Sequence, residues 1–124
     1  MNVVDSCGWL EYFANGANAD FFAPAIEDTA GLIVPTLTLY EVYKRVLTQR
    51  TEADALRAIA LMRQGRGVDL GETLALSAAR LSVDLHLPLA DSIILGTARA
   101  WDAILWTQDA HFEGIEGVRY VAKS

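Results

Sequence analysis

The sequence predicts a three-layer α/β domain, a parallel sheet with helices on both faces. Three observations carry that expectation. Short apolar or β-branched runs alternate with helical patterns five times, and such alternation implies parallel strands joined by right-handed crossovers. Ala103-Ile104-Leu105-Trp106 is apolar without interruption, as in a strand covered on both sides. At 124 residues and 52% hydrophobic, the chain suffices for one core and is too short for two ordinary domains, so residues 1–124 are read as a single domain.

The elements follow in order. Asn2-Val3-Val4 is a first strand ending at Asp5. Ser6 is placed to cap a helix carrying Trp9, Leu10 and Phe13 on one face, which Gly16 closes. A second helical piece covers Ala19 to Asp28, interrupted near Pro24. Gly31-Leu32-Ile33-Val34 is the second strand, bounded by Pro35. Thr38-Leu39-Tyr40-Glu41 has a capping-box pattern and opens the next helix. Thr51-Glu52-Ala53-Asp54 repeats that signal, and Leu56, Ile59, Ala60 and Arg63 follow at helical spacing to a stop at Gly65. Val68-Asp69-Leu70 reads as a short third strand near an edge, followed by a helix from about Glu72 to Leu85. Pro88 suits a helix entry and puts Asp91 in the first turn, with Ile94, Leu95 and Ala98 behind it. Asp102 breaks that pattern, Ala103 to Trp106 is the fourth strand, and Thr107, Gln108 and Asp109 fall where it leaves the sheet. Gly117 to Val121 is the fifth.

Composition excludes several classes. No apolar run approaches the roughly 18 residues a membrane span needs. The opening MNVVDSCGW has neither the basic nor the apolar region of a signal peptide. A lone cysteine, Cys7, forbids an internal disulfide and fits a reducing compartment, so a cytoplasmic location is expected. With 16 Asp+Glu against 10 Lys+Arg, the formal net charge is −6, which by itself argues mildly against nucleic-acid binding. The mean hydropathy of +0.23 is high for so small a domain and fits either a large core or apolar surface covered by a partner.

Four acids stand at element ends: Asp5 after the first strand, Glu41 in the first turn after the second, Asp91 in the first turn before the fourth, and Asp109 just past it. In parallel α/β sheets, ligands bind outside the carboxyl ends of the strands. Each acid alone has a capping explanation: Glu41 in its box, Asp91 at a helix N-terminus, Asp5 before the first helix, Asp109 before the turn with His111 and Phe112. Together they need more. Two carboxylates at about 4 Å repel by roughly 4 kcal/mol at an effective dielectric near 20, and caps contribute about 1 kcal/mol each. A bound cation offsets that repulsion. Oxygen ligands without matching His or Cys favour Mg²⁺ or Mn²⁺ over zinc, and such ions act on phosphodiesters.

Four blocks, DSCGWLEYF, PTLTLYEVYKRVL, LPLADSIILGTA and LWTQDAHF, resemble the PIN-domain ribonucleases in the same order over nearly the whole chain, most closely the VapC-type toxins of toxin–antitoxin pairs. The resemblance implies five parallel strands and an Mg²⁺ or Mn²⁺ site that hydrolyses RNA. It assigns catalysis to Asp5, Glu41, Asp91 and Asp109, with Asp5, Asp91 and Asp109 as metal ligands. Ser6 and Thr107 match the hydroxyl residues that would orient them. It also implies an antitoxin whose C-terminal segment blocks the site, and a homodimer. Cys7 departs from the small residue usual there and is expected to pack harmlessly. The family often has Arg or Lys near Ala110 and His111, where this chain has neither.

Lys44, Arg45 and Arg50 follow Glu41 on one helix, as contacts to the RNA backbone or as a solvated helix end. Arg99 reads as a surface or salt-bridge residue, His86 and His111 as structural or exposed. Trp9, Tyr12 and Phe13 read as core or antitoxin-groove residues, and the Leu56/Ile59/Ala60 face as the dimer contact. A response-regulator receiver needs paired acids after the first strand, and an Asp-nucleophile phosphatase a second acid two residues after Asp5; Asp5 stands alone, with Cys7 at that second position. The remaining rival is a PIN-fold binding or assembly module without nuclease activity.

Overall fold

In the computed structural model, which describes all 124 residues, β1 (Asn2–Val4) is the middle strand of five. It pairs in parallel with β2 (Leu32–Pro35) on one side and β4 (Ile104–Thr107) on the other; β3 (Arg66–Val68) and β5 (Val118–Tyr120) form the edges. The order is β3-β2-β1-β4-β5, every pair parallel, as the alternation of elements predicts. Six helices complete the three layers: α1 (Ser6–Phe13), α2 (Ala19–Glu27), α3 (Thr36–Gln49), α4 (Glu52–Met62), α5 (Glu72–Leu85) and α6 (Leu89–Ala100).

Strand alternation divides the core in two. Val4, Leu32, Val34 and Trp106 face one cluster, completed by Trp9, Phe22, Val42 and Met62 from α1 to α4. Their neighbours Val3, Ile33 and Leu105 face the other, with Ile94, Leu95 and Ala98 of α6 and Phe112. Both faces of the sheet are covered, which is why the strands read as apolar runs rather than alternating ones. Helix α1 lies tightly on this core: a Cβ on Gly8 would stand 2.6 Å from a Phe22 ring carbon and 2.8 Å from Val4 Cγ1.

Several boundaries differ from the sequence expectation, each for a local reason. Asp5, not Ser6, occupies the N-cap of α1, accepting the Ser6 N–H, so the Ser6 hydroxyl is left for another partner. Pro24 does not interrupt α2. It removes the bond to the Asp20 carbonyl, but buried Phe22, Ala25 and Ile26 hold the turns around it. Gly31 belongs to a short 3₁₀ turn, and β2 runs through Pro35 directly into α3. The helix therefore starts at Thr36, two residues before the capping box, and Thr38 donates its hydroxyl to the Pro35 carbonyl at 2.6 Å. That box does not form, and Glu41 lies in the second turn, not the first. The box at Thr51 does form, Thr51 accepting the Asp54 N–H. β3 lies at Arg66–Val68, earlier than expected; Pro88 is the N-cap of α6 rather than its first residue; and β4 includes Thr107 but not Ala103. Asp102, with φ of +51°, makes the turn between α6 and β4.

The expected dimer face is not a continuous apolar surface. Ile59 packs against the core and leaves Leu56 exposed. Exposed large apolar side chains gather instead on and beside α5 and α6, at Leu70, Leu76, Val83, Leu85 and Leu89. No helix is long and apolar enough to cross a membrane.

Candidate active site

The three central strands end on one edge of the sheet, and the acids are gathered there. Asp5, only 5% exposed, accepts the Ser6 N–H on Oδ1 at 2.8 Å. Its Oδ2 accepts the Thr107 hydroxyl at 2.8 Å and the Cys7 thiol at 3.4 Å. Thr107 Oγ1 in turn accepts the Asp109 N–H at 2.9 Å, so one hydroxyl ties the end of β4 to the end of β1. Glu41 reaches across from α3, its Oε1 accepting the Ser6 hydroxyl at 2.6 Å. Asp91, in the first turn of α6, and Asp109, which caps the 3₁₀ turn Ala110–Phe112 by accepting the His111 N–H, both meet the His111 ring. Nδ1 lies 2.9 Å from Asp91 Oδ2 and 3.2 Å from Asp109 Oδ1.

Burial sets the electrostatics. Desolvation pushes the Asp5 carboxyl up to about 6, against the opposing hydrogen bond from Thr107, and the Asp91 charge adds to the rise. Asp91 is itself raised, first by burial and then by the charge of Asp109. The His111 imidazole is raised by its bond to Asp91 and the nearby Asp109 charge. Burial, then the Asp5 charge, pushes the Cys7 thiol up to about 12, so it remains a neutral donor. The only ion pairs made by the four acids are those of Asp91 and Asp109 with His111; no lysine or arginine pairs with them. Asp5, buried and desolvated, receives neutral donors alone. This donor set fits a divalent cation, which would supply the missing positive charge.

All four acids and Ser6 line one groove of about 910 Å³, which also carries Arg45 and Arg50. Lys44 does not line it; its ammonium lies 5.7 Å over the Tyr40 ring. Lys44 is one helical step off the Glu41–Arg45 face, so the expected RNA-backbone contact does not extend to it. Cys7 does not pack away from the site but forms part of its wall, in contact with Asp5. His111, read as structural or exposed, touches two of the acids. Its signal was present: a carboxylate capping a 3₁₀ turn brings residue i+2 back onto itself. Arg57, Gln108 and Lys123 also line the groove and were not singled out. Arg57 is held by Asp54, whose carboxyl that guanidinium lowers. Of the three aromatics read as core or groove, Phe13 lines the groove, Trp9 is core, and Tyr12 is half-buried against the core, its hydroxyl donating to Glu27; Leu10 lines the groove as well.

Compared with known families, residues 3–118 match the PIN domain. No curated protein matches the chain closely enough to count as a relative. Among solved structures, a chain of a toxin–antitoxin complex from Klebsiella pneumoniae is similar with a TM-score of 0.83 at 22% identity, covering 96% of each chain. The sarcin–ricin loop cleaving toxin VapC20 of Mycobacterium tuberculosis gives 0.76 at 14% identity, over 94% of this chain and 95% of that one. A chain of DNA-bound VapBC from Salmonella typhimurium gives 0.73 at 14%, over 98% and 97%. At these identities the likeness is one of fold.

Proposed function

The chain belongs to the PIN-domain family, and from that premise we propose that it is a Mg²⁺- or Mn²⁺-dependent endoribonuclease, the toxin of a toxin–antitoxin pair. The observation that carries the reading is the convergence of Asp5, Glu41, Asp91 and Asp109 on one groove with no lysine or arginine neutralising them. Asp5, Asp91 and Asp109 would hold the cation, with Glu41 beside them. When bound, such an ion activates water at neutral pH and stabilises charge on a phosphodiester. The chain's own residues do the rest. Thr107 and Ser6 fix the rotamers of Asp5 and Glu41 through their hydroxyls. Arg45 and Arg50, exposed on the groove wall, would take backbone phosphates and offset the acidic net charge locally. Cleavage of RNA by the purified protein should require added Mg²⁺ or Mn²⁺ and stop in EDTA. Cleavage unchanged by the chelator would overturn the reading.

The partner reading rests on the same groove. Leu10, Phe13, Val46 and Leu61 give it an apolar wall beside the charged one, suited to an extended segment of an antitoxin. That several similar structures are toxin–antitoxin complexes supports this. A homodimer would form across α5 and α6, where Leu76 and Val83 stand seven residues apart on one face of α5, 68% and 72% exposed. A Leu76→Glu/Val83→Glu double variant is expected to run as a monomer in light scattering at concentrations where the parent is dimeric. A parent that is already monomeric at high micromolar concentration would refute the dimer.

A further inference from the structure

His111 stands in the cluster of acids without being one. One ligand atom each from His111, Asp91 and Asp109 lie within 4.8 Å of one another. His111 Nδ1 is 2.9 Å from Asp91 Oδ2 and 3.2 Å from Asp109 Oδ1. Metal–ligand bonds of about 2.1 Å meeting at right angles set neighbouring donor atoms about 3.0 Å apart. Both distances to Nδ1 are already close to that spacing, and the two carboxylates lie within 4.8 Å of each other. Nor is the ring placed there by side-chain chance. The Ala110–Phe112 turn is capped by Asp109, and the same Oδ1 that accepts the His111 N–H also meets the ring. The backbone thus holds the imidazole at the mouth of the site, with the side chain 59% exposed and Asp91 13% exposed beneath it.

We propose that His111 is a ligand of the cation through Nδ1, together with Asp91 and Asp109, and that it shifts the preference of the site from Mg²⁺ towards Mn²⁺ and Zn²⁺. This rests on reading the acids as a cation site, as above. The physical reason is ligand chemistry. Mg²⁺ dehydrates reluctantly and prefers oxygen, whereas an imidazole nitrogen favours ions later in the divalent series. A carboxylate-only site leans the other way, towards ions that prefer oxygen. Here the nitrogen replaces one oxygen or water, so the selectivity differs from that expected of four acids alone.

The rival is that His111 is a surrogate cation, bridging Asp91 and Asp109 only until a metal ion expels it. The two readings predict opposite signs. Binding of Mn²⁺, Zn²⁺ and Mg²⁺ is measured by calorimetry on the full chain and on His111→Gln, with electron spin-echo spectroscopy of the Mn²⁺ complexes. As a ligand, His111 gives ¹⁴N coupling that vanishes in the variant, and Mn²⁺ and Zn²⁺ affinities fall by about 10- to 100-fold, Mg²⁺ much less. Affinities that rise or stay level in the variant overturn the proposal, as does Mn²⁺ bound to the parent without ¹⁴N coupling. In those cases the metal-dependent nuclease reading survives. A parent that binds no Mn²⁺ at all overturns both.

Discussion

Asp5→Asn is expected to reduce cleavage by more than about 100-fold and, in the absence of metal, to make the protein more stable at neutral pH. The loss of activity follows from removing the most buried of the acids that face the groove; altering even the groups that support a metal ligand costs about 10- to 100-fold. The gain in stability follows from the Asp5 carboxyl, which burial pushes up to about 6 from an ordinary value of 3.8. A group raised on folding contributes stability that is complete below its unfolded pKa and is lost as pH rises through the folded one. Between about pH 4 and pH 7 the metal-free parent should therefore lose about 3 kcal/mol from this residue, at 1.36 kcal/mol per pKa unit. Asparagine keeps the shape and has no charge to desolvate, so its urea midpoint in EDTA should vary less over that range. Mg²⁺ should then stabilise the parent by mass action and leave the variant almost unmoved. A variant less stable than the parent at pH 7.5 in EDTA would show that the carboxylate is not strained by burial.

The second large effect is expected at Thr107. Its fully buried hydroxyl donates to Asp5 Oδ2 and accepts the Asp109 N–H, so it serves two of the acids at once. Thr107→Val keeps the volume and deletes both bonds, leaving Asp5 Oδ2 with only the long thiol contact of Cys7 and a backbone N–H without its acceptor. The expected cost is about 2–3 kcal/mol in chemical denaturation at neutral pH, with cleavage down by about 10- to 100-fold. The Asp5 carboxyl should rise further, because the Thr107 bond is the strongest influence lowering it. Thr107→Ser restores the hydroxyl and should stay within about 1 kcal/mol of the parent, the loss of one methyl. If valine and serine behave alike, the hydroxyl is not what joins the two strand ends.

The sheet and the acids were readable because they depend on periodicity and position. The run 103–106 announced a covered strand, and Asp5, Asp91 and Asp109 each sit where an element meets the carboxyl edge of the sheet. What misled were local signals overridden by a neighbour. Thr38 and Glu41 have the spacing of a capping box, but Pro35 carries β2 into the helix two residues earlier, which releases Glu41 to meet Ser6. Ser6 looked like a cap because serine is a good one, yet Asp5 precedes it and takes the role. His111 reads as structural or exposed for want of a ligand partner at useful spacing, and Cys7 as a residue that packs harmlessly. Each has one partner two residues away, Asp109 for His111 and Asp5 for Cys7, and one distant partner, Asp91 20 residues back and Thr107 100 residues on; no local pattern encodes the distant pairs. Lys44 and Arg45 are adjacent in the chain but point to different places, a distinction of about 100° around the helix.

The central place of β1 in the sheet sets the order of events during synthesis. Val3 pairs with Ile33 on one side and with Leu105 on the other, so β1 stays half-bonded until β4 has emerged. Its Asp5 meets Thr107 only then, and Asp109 is later still. Pairings of such sequence separation are slow to close, since loop entropy must be overcome before the contact contributes. An incomplete chain therefore has β1, β2 and α3 but no finished acid cluster. On the proposed ribonuclease reading, that order keeps the nascent polypeptide inert beside the messenger RNA that encodes it.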